Sequence, residues 1–481
     1  MENKYPILPL VDLVTIHDTK RKPITKSKRI SGVYPYYGAS GITDYVESYV
    51  FDGLFVLLAE DGDNLRTRNT PIAFTAKGKF WVNNHAHVLK GVDDLDTQYI
   101  CYALQHAEID SYISGSTRPK ITQGDLKKIP VIAPPLKIRH QIAKLVNDFD
   151  QKIELNQKTN QTLEKMAQTL FKSWFVDFDP VFDNALAKAG FNLDNLPNEW
   201  PETLLQRAKL RLQVLQQNPT LQAQLTQNLS VTSNQQSQAQ TSQTKNTHQH
   251  FPSEFELTDD PSIGINGWIP KGWDVAALGD KIAVKRGGSP RPIKDFIDTK
   301  GLPWTKISDA TASQSRFIKK TKEFIKPEGL SKTTLLKKGA LILSNSATPG
   351  LPKFLDTDAC IHDGWLHFPT KEIFSDLYLY QLFLVVRKEL VQQGNGSVFT
   401  NLKTDILKNH NLIVPNKDIL VNFESFIIPI HNQIHAISEN IAILTKLRDT
   451  LLPKLISGEL QIPDGLETAE NSITALGSNN E

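Results

Sequence analysis

Two short stretches of the chain place several cations close together beside turn residues, a pattern suited to holding phosphate groups. The first leads into Tyr34, Tyr36 and Tyr37, and its cations are Lys20, Arg21, Lys22, Lys26, Lys28 and Arg29. The second is a glycine-rich turn at residues 285–291, and its cations are Lys285, Arg286 and Arg291. Cations neutralise phosphates, while aromatic rings pack on sugars or bases. The residues alone leave open the alternative of a solvated loop beside core tyrosines.

Sequence motifs for catalysis are missing from the chain. It has no G-x-x-x-x-G-K-[ST] loop, which predicts that it does not hydrolyse ATP itself. A DNA amino-methyltransferase is expected to carry an N/D-P-P-Y/F loop, but the double proline in Ala133-Pro134-Pro135-Leu136 lacks both the polar and the aromatic neighbour. We therefore predict no catalytic residue and no cofactor.

Two histidines one residue apart could ligate a metal, but their surroundings favour a structural role. His85 and His87 would lie on one face of a strand, and neither a carboxylate nor a third histidine stands near them in sequence. His362 and His367 occupy a comparable place in the second half. The turn at residues 61–64 lacks the rest of a calcium motif, so we interpret it as a carrier of DNA-facing polar groups. No metal site is predicted.

The chain contains an internal repeat with an offset of 281 positions. Gly115 and Ser116 fall on Gly396 and Ser397, and the register continues without a gap until Trp174 falls on Leu455. The simplest interpretation is two copies of one unit, each a divergent globular part followed by a long helix.

The spacing of apolar residues in the two helical parts follows the alternating three-four step of a heptad seam. The predicted seam residues are Ile153, Leu163, Leu170, Trp174, Ile434, Ile441, Leu444, Leu451 and Leu455. Residues 135–175 would give a helix of roughly 60 Å at 1.5 Å per residue, too long for one compact domain to cover. We therefore predict an antiparallel helix pair, with Asn156 and Asn160 fixing its register. Two separate amphipathic helices on separate cores are the alternative.

Composition limits the class of protein further. A length of 481 residues suits two or three domains, and the net charge of +2 gives no global basic field. Two cysteines, Cys101 and Cys360, indicate a reduced protein without a disulfide frame. The sequence lacks the apolar core of a signal peptide and any apolar run of membrane length, so we predict a cytoplasmic protein with no membrane contact.

The secondary-structure pattern predicts a mixed α+β chain. Short strands are predicted at residues 54–59, 80–82, 340–343 and 365–368, and shorter helices at 96–114, 201–217 and 375–391. The helix that ends near Phe175 is predicted to stop because of Pro180. The run at residues 222–250 is dominated by Gln, Ser, Thr and Asn, and we predict that it is flexible because it offers little apolar surface to bury.

Several runs resemble the DNA-specificity subunit of type I restriction-modification systems over nearly the whole chain, excepting the Gln-rich insertion. The runs that carry the resemblance are Tyr34-Pro35-Tyr36-Tyr37-Gly38-Ala39-Ser40-Gly41-Ile42, Glu60-Asp61-Gly62, Trp81-Val82-Asn83-Asn84-His85-Ala86-His87, Thr169-Leu170-Phe171-Lys172-Ser173-Trp174-Phe175-Val176-Asp177-Phe178-Asp179-Pro180 and Leu447-Arg448-Asp449-Thr450-Leu451-Leu452-Pro453-Lys454-Leu455-Ile456-Ser457-Gly458-Glu459-Leu460.

The resemblance implies two pseudo-symmetric target-recognition domains joined by a pair of long antiparallel coiled-coil helices. The expected segments are recognition domain 1 at 1–134, helix 1 at 135–178, a linker with a flexible insertion at 179–260, recognition domain 2 at 261–416, helix 2 at 417–460 and a flexible tail at 461–481. Each domain would read one half of a bipartite double-stranded DNA site. The helices would set the gap and dock two modification subunits, which methylate adenine, and through them the restriction and translocase subunits.

Candidate DNA contacts come from loop position, since contacting residues vary with the target. For phosphates and sugars we predict Lys20, Arg21, Lys22, Lys26, Arg29, Tyr36, Tyr37, Lys285, Arg286 and Arg291. For base edges, where a bidentate pair is worth about 1 to 3 kcal/mol, we predict Arg66, Arg68, Asn83, Arg118, Lys120, Ser344, Asn345, Ser346 and Lys353. The alternatives are a fused enzyme that itself methylates or cleaves DNA, and a structural coiled-coil scaffold.

Overall fold

A computed structural model describes residues 4–232, 247–393 and 401–463. The chain divides into two compact units. The first comprises Met1–Lys158 and Glu439–Glu481, and the second Thr159–Ser438. Gly396, Ser397 and the tail from residue 464 lie outside the described residues. Among the described residues, no helix combines the length and the apolar character needed to cross a membrane.

The first unit contains a six-stranded sheet and a separate pair of strands. Its strands are β1 (Ile7–Pro9), β2 (Thr15–Ile16), β3 (Ser31–Gly38), β4 (Gly41–Val46), β5 (Phe51–Ala59), β6 (Ala73–Val82), β7 (Ala86–Lys90) and β8 (Pro130–Ile132). The sheet order is β2-β7-β5-β6-β3-β4, and β1 pairs with β8. Strands β3 and β6 run parallel, with Tyr36 opposite Trp81. The strands predicted at residues 54–59 and 80–82 are confirmed within β5 and β6.

Helices of the first unit cover this sheet and lead out of it. They are α1 (Asn64–Thr67), α2 (Asp94–His106), α3 (Gln123–Leu126) and the first part of α4 (Leu136–Phe175). The Asp93 side chain caps α2 by accepting from the backbone N–H of Asp96. The predicted extension of this helix to residue 114 is wrong, because the backbone at Ala107 is already extended. Tyr99, Ile100 and Leu104 are buried in the core of the unit.

The second unit contains two five-stranded sheets. The strands are β9 (Phe255–Leu257), β10 (Trp268–Pro270), β11 (Asp274–Ala277), β12 (Lys285–Arg286), β13 (Ile297–Asp298), β14 (Leu302–Thr305), β15 (Phe317–Ile318), β16 (Glu323–Ile325), β17 (Thr334–Leu336), β18 (Leu341–Ser344), β19 (Pro352–Leu355), β20 (Ala359–Ile361), β21 (Trp365–His367) and β22 (Asn411–Val414). The two sheets have the orders β12-β21-β18-β19-β15 and β13-β16-β14-β20-β17. Strands β14 and β20 run parallel, as β3 and β6 do in the first unit.

Helices of the second unit pack around these sheets. They are α5 (Asp179–Lys188), α6 (Glu202–Gln216), α7 (Pro219–Thr232), α8 (Leu278–Lys281), α9 (Ile307–Ala312), α10 (Asp376–Gln393), α11 (Thr404–Lys408) and most of α12 (Lys417–Ser457). The helices predicted at residues 201–217 and 375–391 are confirmed as α6 and α10. Pro180 does not stop the preceding helix, because α4 ends at Phe175 and Pro180 lies in the first turn of α5.

The segment predicted as a linker contains α5, the predicted α6 and α7, and α7 overlaps the run that was predicted to be flexible. Leu204, Ala208 and Leu215 of α6 are buried, and so is Leu225 of α7. All four belong to the main hydrophobic cluster of the second unit. The prediction of flexibility from residue 222 is therefore wrong as far as Thr232, since Leu225 has a core to join. Residues 233–246, the most Gln- and Ser-rich part, lie outside the described residues.

The long helices α4 and α12 pair antiparallel within each unit. In the second unit, Asn160 Nδ2 donates to Ser438 Oγ over 3.0 Å, while the ring of Trp174 lies 5.8 Å from that of Phe423. Residue numbers thus rise along one helix as they fall along the other. In the first unit, Asp150 contacts Arg448, and earlier residues of α4 share a buried cluster with later residues of α12.

Burial along the two helices matches the predicted seam. Ile153, Leu163, Trp174, Ile434 and Leu455 are buried, and Leu170, Ile441, Leu444 and Leu451 are half-buried. In each unit both helices contribute to one shared cluster, so the alternative of two helices on separate cores is wrong. The fold class predicted from the sequence, mixed α and β with a long antiparallel helix pair, is confirmed.

Candidate nucleic-acid interface

In the first unit, several predicted contacts converge on the acidic end of β5. Arg118 Nη2 lies 2.9 Å from Asp61 Oδ2, and Lys120 Nζ lies 3.2 Å from Glu60 Oε1. The Arg118 and Lys120 side chains remain 68% and 49% exposed. A surface ion pair is worth little in water, so both cations can exchange their carboxylate partner for a phosphate or a base edge.

A tight hairpin positions these two cations. Ser114 and Lys120 exchange backbone hydrogen bonds, and Gly115 turns the chain with a φ of +80°. A Cβ at Gly115 would collide with the Arg118 carbonyl oxygen. Arg66 Nη2 donates to the Gly115 carbonyl over 2.9 Å, which brings a third predicted contact to the same loops. Arg68 instead pairs with Asp110 over 3.1 Å.

Arg21 belongs to an internal network instead of facing solvent. Its Nη1 donates to Glu60 Oε2 over 2.6 Å and to the Ala86 carbonyl over 2.8 Å, and its Nε donates to the Asp18 carbonyl. These bonds occupy the guanidinium and leave its side chain 14% exposed. We therefore no longer propose Arg21 as a phosphate contact; it fixes the loop that carries the neighbouring lysines.

His87 is held inside the same network, as a structural histidine. Its Nδ1 lies 2.6 Å from Asp18 Oδ2, and its Nε2 lies 3.0 Å from the Ile121 carbonyl. Burial disfavours the charged form of Asp18. The hydrogen bond to His87, the backbone N–H of Val88 and the charge of Arg21 outweigh burial and lower the pKa of this carboxyl. His85 is more exposed and lies 2.9 Å from Asp61 Oδ2. The predicted hydrogen-bonding role of both histidines is confirmed.

The basic loop ahead of β3 keeps its lysines on the surface and uses its arginine internally. Lys20, Lys22 and Lys26 are exposed. Arg29 lies 4.3 Å over the ring of Tyr36 and pairs with Asp44 over 3.0 Å.

The tyrosines and Asn83 of the first unit lie mostly inside it. Tyr36 is 1% exposed and its hydroxyl accepts from the Ile24 backbone N–H. We therefore no longer propose Tyr36 as a DNA contact. Tyr37 is half-buried, and Asn83 is 9% exposed with its Oδ1 accepting from the His85 backbone.

In the second unit, predicted contacts converge on Asp363 in the turn between β20 and β21. Arg286 Nη2 donates to its carbonyl oxygen over 3.0 Å, and Arg291 Nη2 lies 3.4 Å from its Oδ2. Ser289 Oγ donates to its Oδ1 over 2.6 Å. Asn345 Nδ2 lies 3.3 Å from the same carbonyl. Within the described ranges Asn345 Oδ1 is buried without a hydrogen-bond partner.

Three predicted contacts of the second unit are buried, and we no longer propose them. Asn345 is 4% exposed. Ser344 is fully buried, and its Oγ accepts from the Leu351 backbone N–H. Lys353 is 6% exposed, and its Nζ donates to the carbonyl oxygens of Ser313 and Ser315. Burial lowers the pKa of Lys353 to about 8. Lys285 is exposed on β12, and Ser346 is half-buried.

Sequence reasoning recognised the turn at residues 61–64 as a carrier of polar groups but overlooked Asp363 of the second unit, because it searched there for cations. Asp363 follows β20 as Asn84 follows β6, and both β6 and β20 have a parallel neighbour in their sheets. The histidines flanking these two turns were recognised as comparable. The signal that could have revealed this residue is that Asp363 directly follows His362 in the sequence.

Two regions of the chain match one protein-family model. Residues 4–165 and 270–440 both match the type I restriction modification DNA specificity domain. The chain belongs to this family. The predicted resemblance is thereby confirmed. The second match begins after α5, α6 and α7, so these helices of the specificity protein lie outside both matched regions.

Named relatives carry the same description. A putative type I restriction enzyme specificity subunit from Haemophilus influenzae is 40% identical over 139 residues, which are 29% of this chain and 36% of that relative. The MjaIX specificity subunit from Methanocaldococcus jannaschii is 24% identical over 84% of this chain and 78% of its own length. The crystal structure of a type I restriction-modification S subunit from M. genitalium has a TM-score of 0.52 at 14% identity, covering 94% of this chain and 96% of that one. This last likeness concerns the fold alone.

Proposed function

We propose that this chain is the non-catalytic, sequence-reading subunit of a type I restriction-modification complex. Recognition domain 1, at residues 1–134, reads one half of a bipartite double-stranded DNA site, and recognition domain 2, at residues 261–416, reads the other. The observation that carries the proposal is the double match to a DNA specificity domain on two regions whose loops differ. One set of loops centres on Glu60 and Asp61, the other on Asp363. Unlike loops suit unlike half-sites.

Phosphate contacts supply the grip on DNA. We assign this role to the exposed cations around the two loop clusters, namely Lys20, Lys22, Lys26 and Lys285, and to the half-buried Tyr37. Arg29 is no longer proposed, because Asp44 and the ring of Tyr36 hold it inside the unit. Their contribution depends on salt because each neutralised phosphate releases condensed counterions. The chain needs no high net charge for this, since the cations are concentrated locally.

Replacing Lys22 and Lys26 together by alanine is expected to weaken binding by similar factors on target and non-target DNA. Each lost phosphate contact reduces the slope of log K against log salt by about 1, so the double variant should lose about 2. Fluorescence anisotropy of the assembled complex between roughly 50 and 200 mM salt measures this slope. Lys209→Ala, at an exposed position of α6, is the matched control. A selective loss on target DNA would contradict the phosphate role.

Base reading is assigned to arginines and amides at the loop clusters. The candidates predicted for bases that remain are Arg66, Arg68, Asn83, Arg118, Lys120 and Ser346. Arg286 and Arg291, which were predicted as phosphate contacts, are reassigned to bases because both are held at Asp363. Arginine and asparagine suit this task because each can make two parallel hydrogen bonds to one base edge. Each cation already has a hydrogen-bonded orientation in its loop, so less side-chain freedom is lost on binding.

The long helices are proposed to set the gap between half-sites and to dock two modification subunits, which are adenine methyltransferases. Exposed apolar side chains on these helices support docking: Leu155, Met166, Val421, Ile428, Ile443 and Leu447. Met166 and Leu447 stand 281 positions apart, which is the offset of the internal repeat. Equivalent positions on the two copies suit two equivalent partners. Restriction and translocase subunits would join through the modification subunits.

Methylation assays separate this function from the fused-enzyme alternative. The purified chain, incubated with DNA and a labelled methyl donor, is expected to transfer no methyl group, and addition of the modification subunits is expected to start transfer. Turnover by the lone chain would contradict the proposal. A scaffold without DNA-reading activity would leave methylation by the complex independent of DNA sequence.

A further inference from the structure

A buried arginine attaches the second recognition domain to the long helices. Arg316 lies just before β15, and its side chain is 1% exposed. Its Nε donates to Glu164 Oε1 over 2.6 Å, and its Nη2 pairs with Glu164 Oε2. Glu164 lies on α4, so this two-pronged ion pair connects a loop of the domain to the first long helix.

The same guanidinium also meets the second long helix and the core of the domain. Its Nη1 lies 3.3 Å from Nδ1 of His431 on α12, and its Cζ lies 4.5 Å over the ring of Tyr380. Burial, together with the charge of Arg316, lowers the pKa of His431 to about 4. The ring is therefore neutral at pH 7 and its Nδ1 can accept from the guanidinium.

The loop that carries Arg316 is itself held from both sides. Lys353 Nζ donates to the carbonyl oxygens of Ser313 and Ser315, 2.9 Å and 2.5 Å away. Ser315 Oγ lies 3.4 Å from Oγ of Ser438 on α12, which also accepts from Asn160 on α4. A buried lysine and a buried arginine thus order a loop of about five residues against two helices.

We propose that Arg316 and Glu164 are positioning residues that fix the angle of recognition domain 2 on the helix pair, and thereby sharpen the choice of half-site gap. The inference rests on the proposed function, in which the helices set this gap. A planar guanidinium against a carboxylate allows two parallel bonds in one relative orientation. Apolar packing alone tolerates small rotations, whereas loss of the half-buried Glu164 carboxylate would leave the buried Arg316 guanidinium without its opposite charge.

The first unit has a related polar attachment at an equivalent place. Tyr102 of α2 donates to Asp150 Oδ2 over 2.7 Å, and Arg448 of α12 donates to Asp150 Oδ1 over 2.7 Å. Asp150 precedes His431 by 281 positions, the repeat offset. In each unit, therefore, a polar residue of the long helix that follows the globular part contacts that part. The contact is Tyr102 to Asp150 of α4 in the first unit and Arg316 to His431 of α12 in the second.

The test compares methylation on DNA that carries the preferred gap with DNA whose gap is one base pair longer or shorter. It uses the full chain assembled with its modification subunits. The measured quantity is the methylation rate on the preferred gap divided by the rate on the altered gap. Glu164→Gln is expected to lower this ratio about tenfold, the change that loss of a charge-assisted hydrogen bond produces. Arg316→Lys, which keeps the charge but lacks the fork, is expected to give an intermediate ratio. Glu154→Gln, an exposed glutamate paired with Lys158 on the same helix, is the control and should leave the ratio unchanged.

An apolar double variant separates positioning from stability. Replacing a buried ion pair by apolar residues of similar volume is often neutral or stabilising, so Glu164→Leu with Arg316→Met should keep the unfolding temperature. It should nevertheless lose the gap discrimination. If the double variant discriminated between gaps as well as the wild type does, the inference would be overturned. If the double variant does not fold, the same result in Arg316→Lys would overturn it. A wild-type complex that methylates all gaps equally would instead contradict the proposed function.

Discussion

Met166→Asp and Leu447→Asp are each expected to leave one modification subunit on the chain, and the two replacements together are expected to leave none. The Met166 and Leu447 side chains are 53% and 42% exposed, so neither replacement disturbs a core. An aspartate enclosed by an apolar interface without a partner costs several kcal/mol, which is enough to abolish a micromolar contact. Native mass spectrometry of the purified complex counts the subunits.

The control for this experiment is Leu210→Asp. Leu210 is 56% exposed on α6, outside the helix pair, and its replacement should leave two modification subunits bound. Four variants are thereby compared: the two single variants, the double variant and the control. If either single variant lost both partners, or the double variant kept both, Met166 and Leu447 would not be centres of two equivalent docking surfaces.

Leu163→Asp is expected to unfold the second unit or lower its unfolding temperature strongly. Leu163 is 8% exposed on the seam face of α4 and belongs to the same buried cluster as Ile434 of α12. An unpaired carboxylate there must be desolvated or protonated, and the apolar contacts of leucine are lost, so the cost is about 3 to 5 kcal/mol. Leu444 is half-buried, and the same replacement there should cost less.

Differential scanning calorimetry of the full chain tests this prediction. Met166→Asp is the matched control, since Met166 lies three positions further along the same helix with an exposed side chain. The control should keep the unfolding temperature of the unsubstituted chain. Equal unfolding temperatures for Leu163→Asp and Met166→Asp would contradict the seam assignment.

Local patterns predicted much of the fold. The seam residues could be recognised because a helix repeats its faces every few residues, and burial of Leu163, Trp174 and Ile434 follows that repeat. The strands β5 and β6 were equally visible from apolar runs bounded by turn residues. The helix α7 was missed because its composition is mostly polar. The overlooked signal was the spacing of four between Leu221 and Leu225, which places both side chains on one face of a helix. That face packs against the main hydrophobic cluster of the second unit.

Partners distant in sequence could not be predicted. Arg316 is a single cation among serines, and its partner Glu164 stands 152 positions away. Lys353 was predicted to contact bases because of its assumed loop position, but it lies buried on β19, where two backbone carbonyls accept from its Nζ. Arg21 was chosen for its charge, and two of the groups that bind it, Glu60 and the Ala86 carbonyl, lie 39 and 65 positions away. Loop position located the candidate clusters, while only the three-dimensional contacts separate exposed cations from internal ones.

Sequencing of methylated bases in cells that express this chain with its modification partner tests the central claim most directly. The predicted result is methylated adenine in one bipartite motif, whose two halves differ in sequence and are separated by a fixed gap. Exchange of residues 1–134 for the corresponding domain of a relative should change one half and leave the other half and the gap unaltered. A continuous palindromic motif, or methylation that ignores sequence, would contradict two unlike reading domains on one helix pair.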